Sequence, residues 1–406
     1  MAELTSSLLP TGDAATLGFS TERLVRVETV LSREVTDGRI PGAVIGIARG
    51  GRVAMLSAVG HRDAGQKAPM PADAVFSIAS MTKPMTSVAV LQLVEEGRVL
   101  LGDPVGKYLP KLAEMRVAVA SEDDRGMTRP ALRQPTIQDL LRHTSGLTYR
   151  DRGTTFAHRM TPGSSISAPA KLTVDGFLSE LARTPLLFEP GTDWEYGFST
   201  DVLGLVVEAV TGQRLSDALT ARIWQPLGMV DTGFDLGQGS APRYAQAFKS
   251  DPVTGAAQSV HHATAQPMHW DSGGGGGLST AADYLRFAEC LRQGGRLGSA
   301  QILGRKTVQL MTADHLGTDI RSRIADSMDP ACAGYGFGLG VAVRRQDGMA
   351  AMPGSTGDYY WSGVYGTYFW VDPVEQMSVV FMGAVPGLSR LRYRQLVRAL
   401  VYQALA

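Results

Sequence analysis

Residues 85–94 constrain the fold more than any other segment, because they are apolar on nearly every face of a helix. Such a helix is stable only when other elements surround it, so it must run through the middle of a core. Pro84 is compatible with this helix because it falls in the first turn. We therefore expect one large core with this helix near its centre.

Short apolar segments with strand character lie toward both ends of the chain. Residues 44–48 and 53–59 flank Gly50-Gly51 and predict a β-hairpin. Residues 337–343, 367–371 and 377–382 predict further strands, while the patterns between the two groups are mostly helical. The sequence therefore predicts an α/β plus all-α fold, in which an antiparallel sheet is flanked by helices and carries a large helical insertion.

This pattern also predicts a division into two domains. We assign residues 1–76 and 278–406 to the sheet domain, with residues 1–17 as a loose leader, and residues 77–277 to a mostly helical domain. Clefts between such domains are common places for ligand sites. We therefore expect the active site in the cleft between them.

Composition excludes several functional classes. Lys plus Arg and Asp plus Glu both number 39, and this neutral balance argues against a partner that is nucleic acid or a membrane surface. The sequence has no H-E-x-x-H motif, no phosphate-binding loop and no G-x-S-x-G elbow, so we expect no metal and no cofactor. Two cysteines without a CxxC motif, and no signal peptide or membrane span, predict a cytoplasmic protein.

The motif that carries chemistry is Ser80-Met81-Thr82-Lys83, an S-x-x-K. Random placement of the serines and lysines of this chain would produce about one S-x-x-K motif for every two such chains. The position of the motif is therefore stronger evidence than its presence. Ser80 lies where an extended stretch meets the start of the buried helix, where unpaired backbone N–H groups can bind an oxyanion. Burial lowers the pKa of a lysine, and a low-pKa amine can help remove the serine proton. The alternative is a helix cap with a lysine that reaches the surface.

Together with other stretches, this motif resembles the serine β-lactamase-like superfamily, which has the class C β-lactamase fold. The closest resemblance is to the family VIII carboxylesterases, and a related fungal acyltransferase has the same layout. The resemblance covers nearly the whole chain after residue 20, and its segments match in order and spacing. Besides Ser80–Lys83, they are residues 140–147, 190–196, 226–229, 275–280 and 335–338.

The resemblance implies a Ser/Lys/Tyr site. Ser80 would be the nucleophile, Tyr196 with Lys83 would carry the proton, and the backbone N–H groups of Ser80 and Val364 would hold the oxyanion. The alternative for Tyr196 is a core tyrosine. Residues expected to contact the substrate are Trp361, Gly363, Phe198 and Tyr360.

Departures from the family pattern bear on the substrate. β-Lactamases of this fold use a lysine and an asparagine to hold the drug, and Trp361 and Phe198 stand at those places here. A lost charge-assisted contact to a carboxylate costs about 1.5–3 kcal/mol. We therefore expect a carboxylesterase that acts on small uncharged esters. The alternatives are an acyltransferase on the same acyl-enzyme, and weak cephalosporin hydrolysis or D-peptidase activity.

Two polar residues just after Tyr196 have a structural interpretation in the sequence. Ser199 and Asp201 stand at the start of a predicted helix that runs to Gly212. Both residue types are common helix caps, because their side chains accept hydrogen bonds from unpaired N–H groups. We therefore expect both to be caps rather than parts of the site.

Overall fold

The structure is a computed structural model that describes residues 9–65, 67–119, 126–237, 239, 241–258 and 268–406. Its strands are short, and most of them belong to one sheet. In chain order they are β1 (Gly42–Arg49), β2 (Arg52–Asp63), β3 (Ala68–Pro69), β4 (Phe76–Ser77), β5 (Arg116–Ala118), β6 (Thr128–Pro130), β7 (Leu278–Ser279), β8 (Arg296–Leu297), β9 (Ala300–Gln301), β10 (Tyr335–Phe337), β11 (Ala342–Arg344), β12 (Tyr359–Ser362), β13 (Tyr368–Asp372) and β14 (Met377–Gly383).

Most of the helices that the structure describes lie between β3 and β10. In chain order they are α1 (Thr21–Thr36), α2 (Thr82–Glu95), α3 (Ile137–Leu141), α4 (Phe156–Met160), α5 (Ser167–Lys171), α6 (Val174–Arg183), α7 (Ser199–Thr211), α8 (Leu215–Leu219), α9 (Gln225–Leu227), α10 (Ala281–Arg292), α11 (Arg305–Met311), α12 (Ile324–Ser327) and α13 (Ser389–Tyr402). A single 3-10 turn, Ala79–Met81, precedes α2.

The main sheet joins the two ends of the chain. Its strand order is β10-β11-β12-β13-β14-β1-β2-β3, and every neighbouring pair is antiparallel. Strand β1 of the β1–β2 hairpin is therefore hydrogen-bonded to β14, the last strand in chain order. The residues of β14 follow those of β1 by more than three hundred positions. The predicted fold class, an antiparallel sheet with flanking helices, is confirmed.

Helices cover both faces of this sheet because its side chains alternate between two apolar layers. Phe369 on β13 packs against Tyr284 of α10, with ring centroids 4.9 Å apart. The next residue, Trp370, points to the other face and lies 6.3 Å from the ring of Tyr402 at the end of α13. This alternation is the period of two that a sheet buried on both faces requires.

Helix α2 lies inside the helical part of the fold. Every residue from Thr82 to Leu93 is buried, and the helix packs against α7 and α8. The prediction of a central apolar helix over residues 85–94 is confirmed. Because no face of α2 reaches water, a charged residue within it must find partners inside the protein.

The prediction of a loose leader over residues 1–17 is wrong for the part that the structure describes, residues 9–17. Leu9 is buried in the core, and Thr11 pairs with Val53 on β2. The Gly12 N–H donates to the Val53 carbonyl at 3.0 Å, and the Val53 N–H donates to the Pro10 carbonyl at 2.8 Å. The segment is held because it satisfies backbone groups along the β2 edge.

The two strands at the predicted domain limits pair with each other. β4 lies directly before the helical segment, β7 lies directly after it, and their pairing is antiparallel. The exact division at residues 76/77 and 277/278 stays a prediction. Among the described residues, no helix has both the length and the apolar character that a membrane crossing needs.

Candidate active site

Ser80 lies where the chain turns from β4 into α2. Ala79, just before it, has φ +44°, in the left-handed region that is uncommon for a residue with a side chain. Such strain persists only where the surrounding structure enforces it, and it is concentrated at functional sites. The 3-10 turn that follows places Ser80 on the wall of a cavity of about 480 Å³.

Lys83 follows Ser80 by one turn and is 1% exposed. Its Nζ donates to the Gly274 carbonyl at 2.6 Å and to the Tyr149 hydroxyl at 3.1 Å, and it lies 3.4 Å from Ser80 Oγ. These acceptors match the three N–H bonds of an ammonium group. The fold therefore holds a buried amine beside the serine hydroxyl, with its other donors directed to fixed partners.

A chain of hydroxyl groups connects Lys83 to a buried carboxylate. The Tyr149 hydroxyl contacts Ser165 Oγ, which donates to Asp201 Oδ2 at 2.6 Å. Each hydroxyl accepts one hydrogen bond and donates the next, so the direction runs from the ammonium to the carboxylate. Burial raises the pKa of Asp201 above its usual value, and the positive charge of Lys83 acts against that rise.

The interpretation of Asp201 as a helix cap is wrong. Its carboxylate accepts from Ser272 Oγ at 2.5 Å and from the Gly274 N–H at 3.2 Å, as well as from Ser165. The Ser199 side chain likewise binds another side chain instead of capping the helix, because its Oγ lies 2.8 Å from Ser145 Oγ. Both side chains lie in the buried interior, where lateral partners replace the backbone N–H groups that a cap would bind.

Residues 273–277 are five consecutive glycines that pack as bare backbone beside this network. The Gly274 peptide bridges the two charges, because its carbonyl accepts from Lys83 and its N–H donates to Asp201. A Cβ on Gly274 would collide with Asp201 and Ser165, and a Cβ on Gly277 would come within 2.6 Å of Thr82 Oγ1. The close approach of this segment therefore requires residues without side chains.

Tyr196 lies on the same cavity wall as Ser80 and Tyr149. It presents its ring face to Lys83, whose Nζ lies 4.6 Å from the ring centroid. Its hydroxyl is buried and has no hydrogen-bond partner among the described residues. The structure therefore brings together Ser80, Lys83 and Tyr196, as expected, and adds Tyr149, which follows the family-like stretch 140–147 by two residues.

Val364 lines the same cavity as Ser80 and is 40% exposed. Neither its backbone N–H nor that of Ser80 is bonded to an acceptor among the described residues. Gly363 makes this approach possible, because a Cβ there would come within 2.5 Å of the Ile78 carbonyl oxygen. Two free N–H donors on one cavity wall are the arrangement that an oxyanion needs.

None of the four expected substrate contacts lines this cavity, and three of them are large aromatic residues. Trp361 is 1% exposed and packs against Tyr196 and Phe337. Phe198 packs edge-on against Tyr149, and Tyr360 donates from its hydroxyl to Cys332 Sγ. The predictions of substrate contact by Trp361, Phe198 and Tyr360 are therefore not supported, because all three side chains are enclosed in the layers behind the wall. Gly363 also lies behind it, where it serves packing.

One protein-family model and several known enzymes match this chain over most of its length. A protein-family model described as Beta-lactamase matches residues 27–402. Esterase EstB of Burkholderia gladioli is 33% identical over 407 residues, covering 95% of this chain and 96% of its own. Monacolin J acid methylbutanoyltransferase of Aspergillus terreus is 30% identical over 352 residues, covering 81% of this chain and 80% of its own.

A solved structure agrees with these matches. EstCE1, described as a hydrolase with promiscuous acyltransferase activity, superposes with a TM-score of 0.77 and 30% identity. The superposition covers 94% of this chain and 99% of EstCE1. The likeness therefore extends over both the main sheet and the helical segment.

Proposed function

This chain belongs to the β-lactamase family, and we propose that it is a serine carboxylesterase that hydrolyses small esters through an acyl-enzyme on Ser80. One observation carries the proposal. The Ser80 hydroxyl lies 3.4 Å from a buried amine on the wall of an open cavity. The names of the relatives, an esterase, a hydrolase and an acyltransferase, support the same chemistry.

Acylation begins with attack of Ser80 Oγ on the ester carbonyl carbon. The serine proton passes to the hydroxyl oxygen of Tyr196, which accepts it in its deprotonated form beside the Lys83 ammonium, and the N–H groups of Ser80 and Val364 bind the negative oxygen of the tetrahedral intermediate. The bond to the alcohol oxygen then breaks, and that oxygen takes the proton. This step leaves an ester between the acyl group and Ser80.

Deacylation repeats the sequence with water as the nucleophile. The same groups take one proton from water as its oxygen attacks the acyl carbon, and they return a proton to Ser80 Oγ as the acid leaves. In each half of the cycle the site takes up one proton and returns one proton. The catalytic groups therefore end the cycle in their starting protonation state. No step requires a group beyond this chain's own residues.

The two phenols have different roles in this mechanism. Burial and the nearby Asp201 carboxylate raise the pKa of Tyr149 well above its usual value, so Tyr149 remains a neutral phenol. A neutral phenol that accepts from Lys83 and donates to Ser165 orients the amine but does not act as a base. We assign the proton transfer to Tyr196 and the positioning of Lys83 to Tyr149, Ser165 and Asp201.

Replacing each phenol by phenylalanine separates these roles. Tyr196→Phe is expected to lower kcat by about 10²–10⁴-fold, because it removes the group that transfers the proton. Tyr149→Phe is expected to cost about tenfold, since Lys83 keeps its contacts to Gly274 and Ser80. Steady-state kinetics with para-nitrophenyl butyrate measure both. The opposite order of the two losses would make Tyr149 the proton carrier.

Product analysis tests hydrolysis against the alternative, acyl transfer. With para-nitrophenyl butyrate in buffer that contains a simple alcohol at modest concentration, we expect butyric acid to exceed the butyrate ester of the added alcohol. We also expect kcat/KM for this ester to exceed that for nitrocefin. A predominant new ester would reverse the assignment to an acyltransferase, and faster nitrocefin cleavage would make the protein a β-lactamase.

A further inference from the structure

The cavity beside Ser80 is lined by more positive than negative side chains. Asp151, Arg152, Arg390 and Arg394 are the charged residues on its wall. Arg152 is paired with Glu195, whose Oε1 lies 2.9 Å from its Nε. Asp151 is exposed to solvent, which screens its charge. Arg390 and Arg394, which both lie on α13, therefore give this cavity wall its positive charge.

Arg394 is 6% exposed, and a buried guanidinium normally has its donors filled. Its Nη1 reaches Asp329 Oδ2 at 3.5 Å, a long contact. Its Nε is buried without a hydrogen-bond partner, and its Nη2 makes no hydrogen bond to any residue that the structure describes. Arg394 lines the cavity, and its guanidinium group has donors that no described residue fills.

Arg390 lies one helical turn before Arg394, on the same side of α13. It contacts the Gly387 carbonyl through Nη1, and its Nε has no partner among the described residues. No carboxylate in the described part of the chain lies within ion-pair distance of it. Burial and the charge of Arg394 lower the pKa of Arg390 to about 10, and the more distant Asp329 acts against this shift.

We propose that Arg390 and Arg394 bind a carboxylate of the substrate, so that the enzyme prefers esters that carry a free carboxylate to uncharged esters of the same length. The inference rests on the proposed function and names its substrate class. It replaces the expectation of uncharged esters, which rested on the loss of the lysine and asparagine contacts at the positions of Trp361 and Phe198, because α13 offers a carboxylate other cationic partners. Neither Trp361 nor Phe198 reaches the cavity.

The charge balance fits a single carboxylate. Two guanidinium groups share one acidic neighbour, Asp329, so the group carries an excess of one positive charge. A monoanion neutralises that excess, and guanidinium donors in a planar fork match the two oxygens of a carboxylate. A dianion such as a phosphate monoester would leave a negative excess in a partly buried place.

The test compares pairs of esters that differ only in the carboxylate. Para-nitrophenyl hydrogen glutarate and para-nitrophenyl pentanoate place the difference on the acyl side. Para-acetoxybenzoate and phenyl acetate place it on the alcohol side. For at least one pair, we expect kcat/KM of the wild type to favour the charged ester about tenfold or more, and Arg390→Met or Arg394→Met to lower that ratio about 10- to 100-fold.

Arg392→Met is the matched control, because Arg392 stands on the same helix but contacts Glu34 of α1. It should leave the ratio unchanged. Should Arg394→Met fail to fold once Asp329 loses its partner, the half-buried Arg390 gives the decisive variant. Equal rates on charged and uncharged esters, or ratios that the arginine variants leave intact, would overturn this inference alone. Failure of the wild type to hydrolyse any of the esters would overturn the proposed function and, with it, this inference.

Discussion

Ser80→Ala is expected to lower kcat/KM for para-nitrophenyl butyrate by about 10³-fold or more, because the variant lacks the oxygen that forms the acyl-enzyme. The residual rate would come from the Val364 and residue 80 N–H groups, which the substitution leaves in place. The alanine removes one exposed oxygen from a cavity wall, so the melting temperature should stay close to that of the wild type. Thermal unfolding measured beside the kinetics separates lost chemistry from lost structure.

A fluorophosphonate probe gives the same prediction a direct readout. Mass spectrometry of the labelled wild type should place the phosphonyl group on the peptide that contains Ser80, and the alanine variant should remain unlabelled. Ser32→Ala, in an exposed position on α1, is the matched control and should keep both rate and label. A label on another serine, or an alanine variant with more than a tenth of the wild-type rate, would refute the assignment of the nucleophile.

Lys83→Met is expected to lower kcat by about 10²–10⁴-fold, the usual worth of a positioned acid–base group. Methionine approximates the shape of the lysine stem, so α2 should remain packed, but Ser80 loses the amine 3.4 Å away. The Gly274 carbonyl and the Tyr149 hydroxyl each lose a donor, which adds a cost of about 1–3 kcal/mol in unfolding free energy for each unsatisfied group. Stopped-flow kinetics should show a slower release of the first nitrophenolate.

Lys111→Met provides the control for Lys83→Met, because Lys111 lies at the surface and contacts Asp175 and Ser179. It should keep the wild-type rate and stability within a small factor. If Lys83→Met retained more than a tenth of the wild-type kcat, the amine would serve packing alone. The proposed proton transfer through the Tyr196–Lys83 pair would then be wrong.

Local sequence rules predicted much of the fold, because the signals they use are decided within a few residues. Ser20 and Thr280 cap α1 and α10, and Thr136 forms a capping box with Asp139. Gly212 ends α7 in the left-handed conformation, where the sequence predicts the end of that helix. The prediction of a loose leader is wrong for residues 9–17, because their hydrogen bonds go to β2, a partner that no local pattern reveals.

The site residues likewise differ in whether a local sequence pattern is enough to predict them. S-x-x-K places Ser80 and Lys83 on one face by helix geometry alone, so the sequence was sufficient for that pair. The prediction of Asp201 as a cap is wrong because its partners, Ser165 and Ser272, come from two other segments of the chain. The sequence predicts substrate contact by Trp361 and Tyr360, but the direction of each side chain depends on how the sheet packs.

The run of five glycines beside Lys83 limits how this enzyme can diverge. A methyl group anywhere in residues 273–277 would strike a neighbouring residue, including groups of the Lys83–Asp201 network. That side of the site therefore tolerates few single substitutions. New specificities should accumulate on the opposite side, where α13 and the segment around Val364 carry side chains that can be exchanged one at a time.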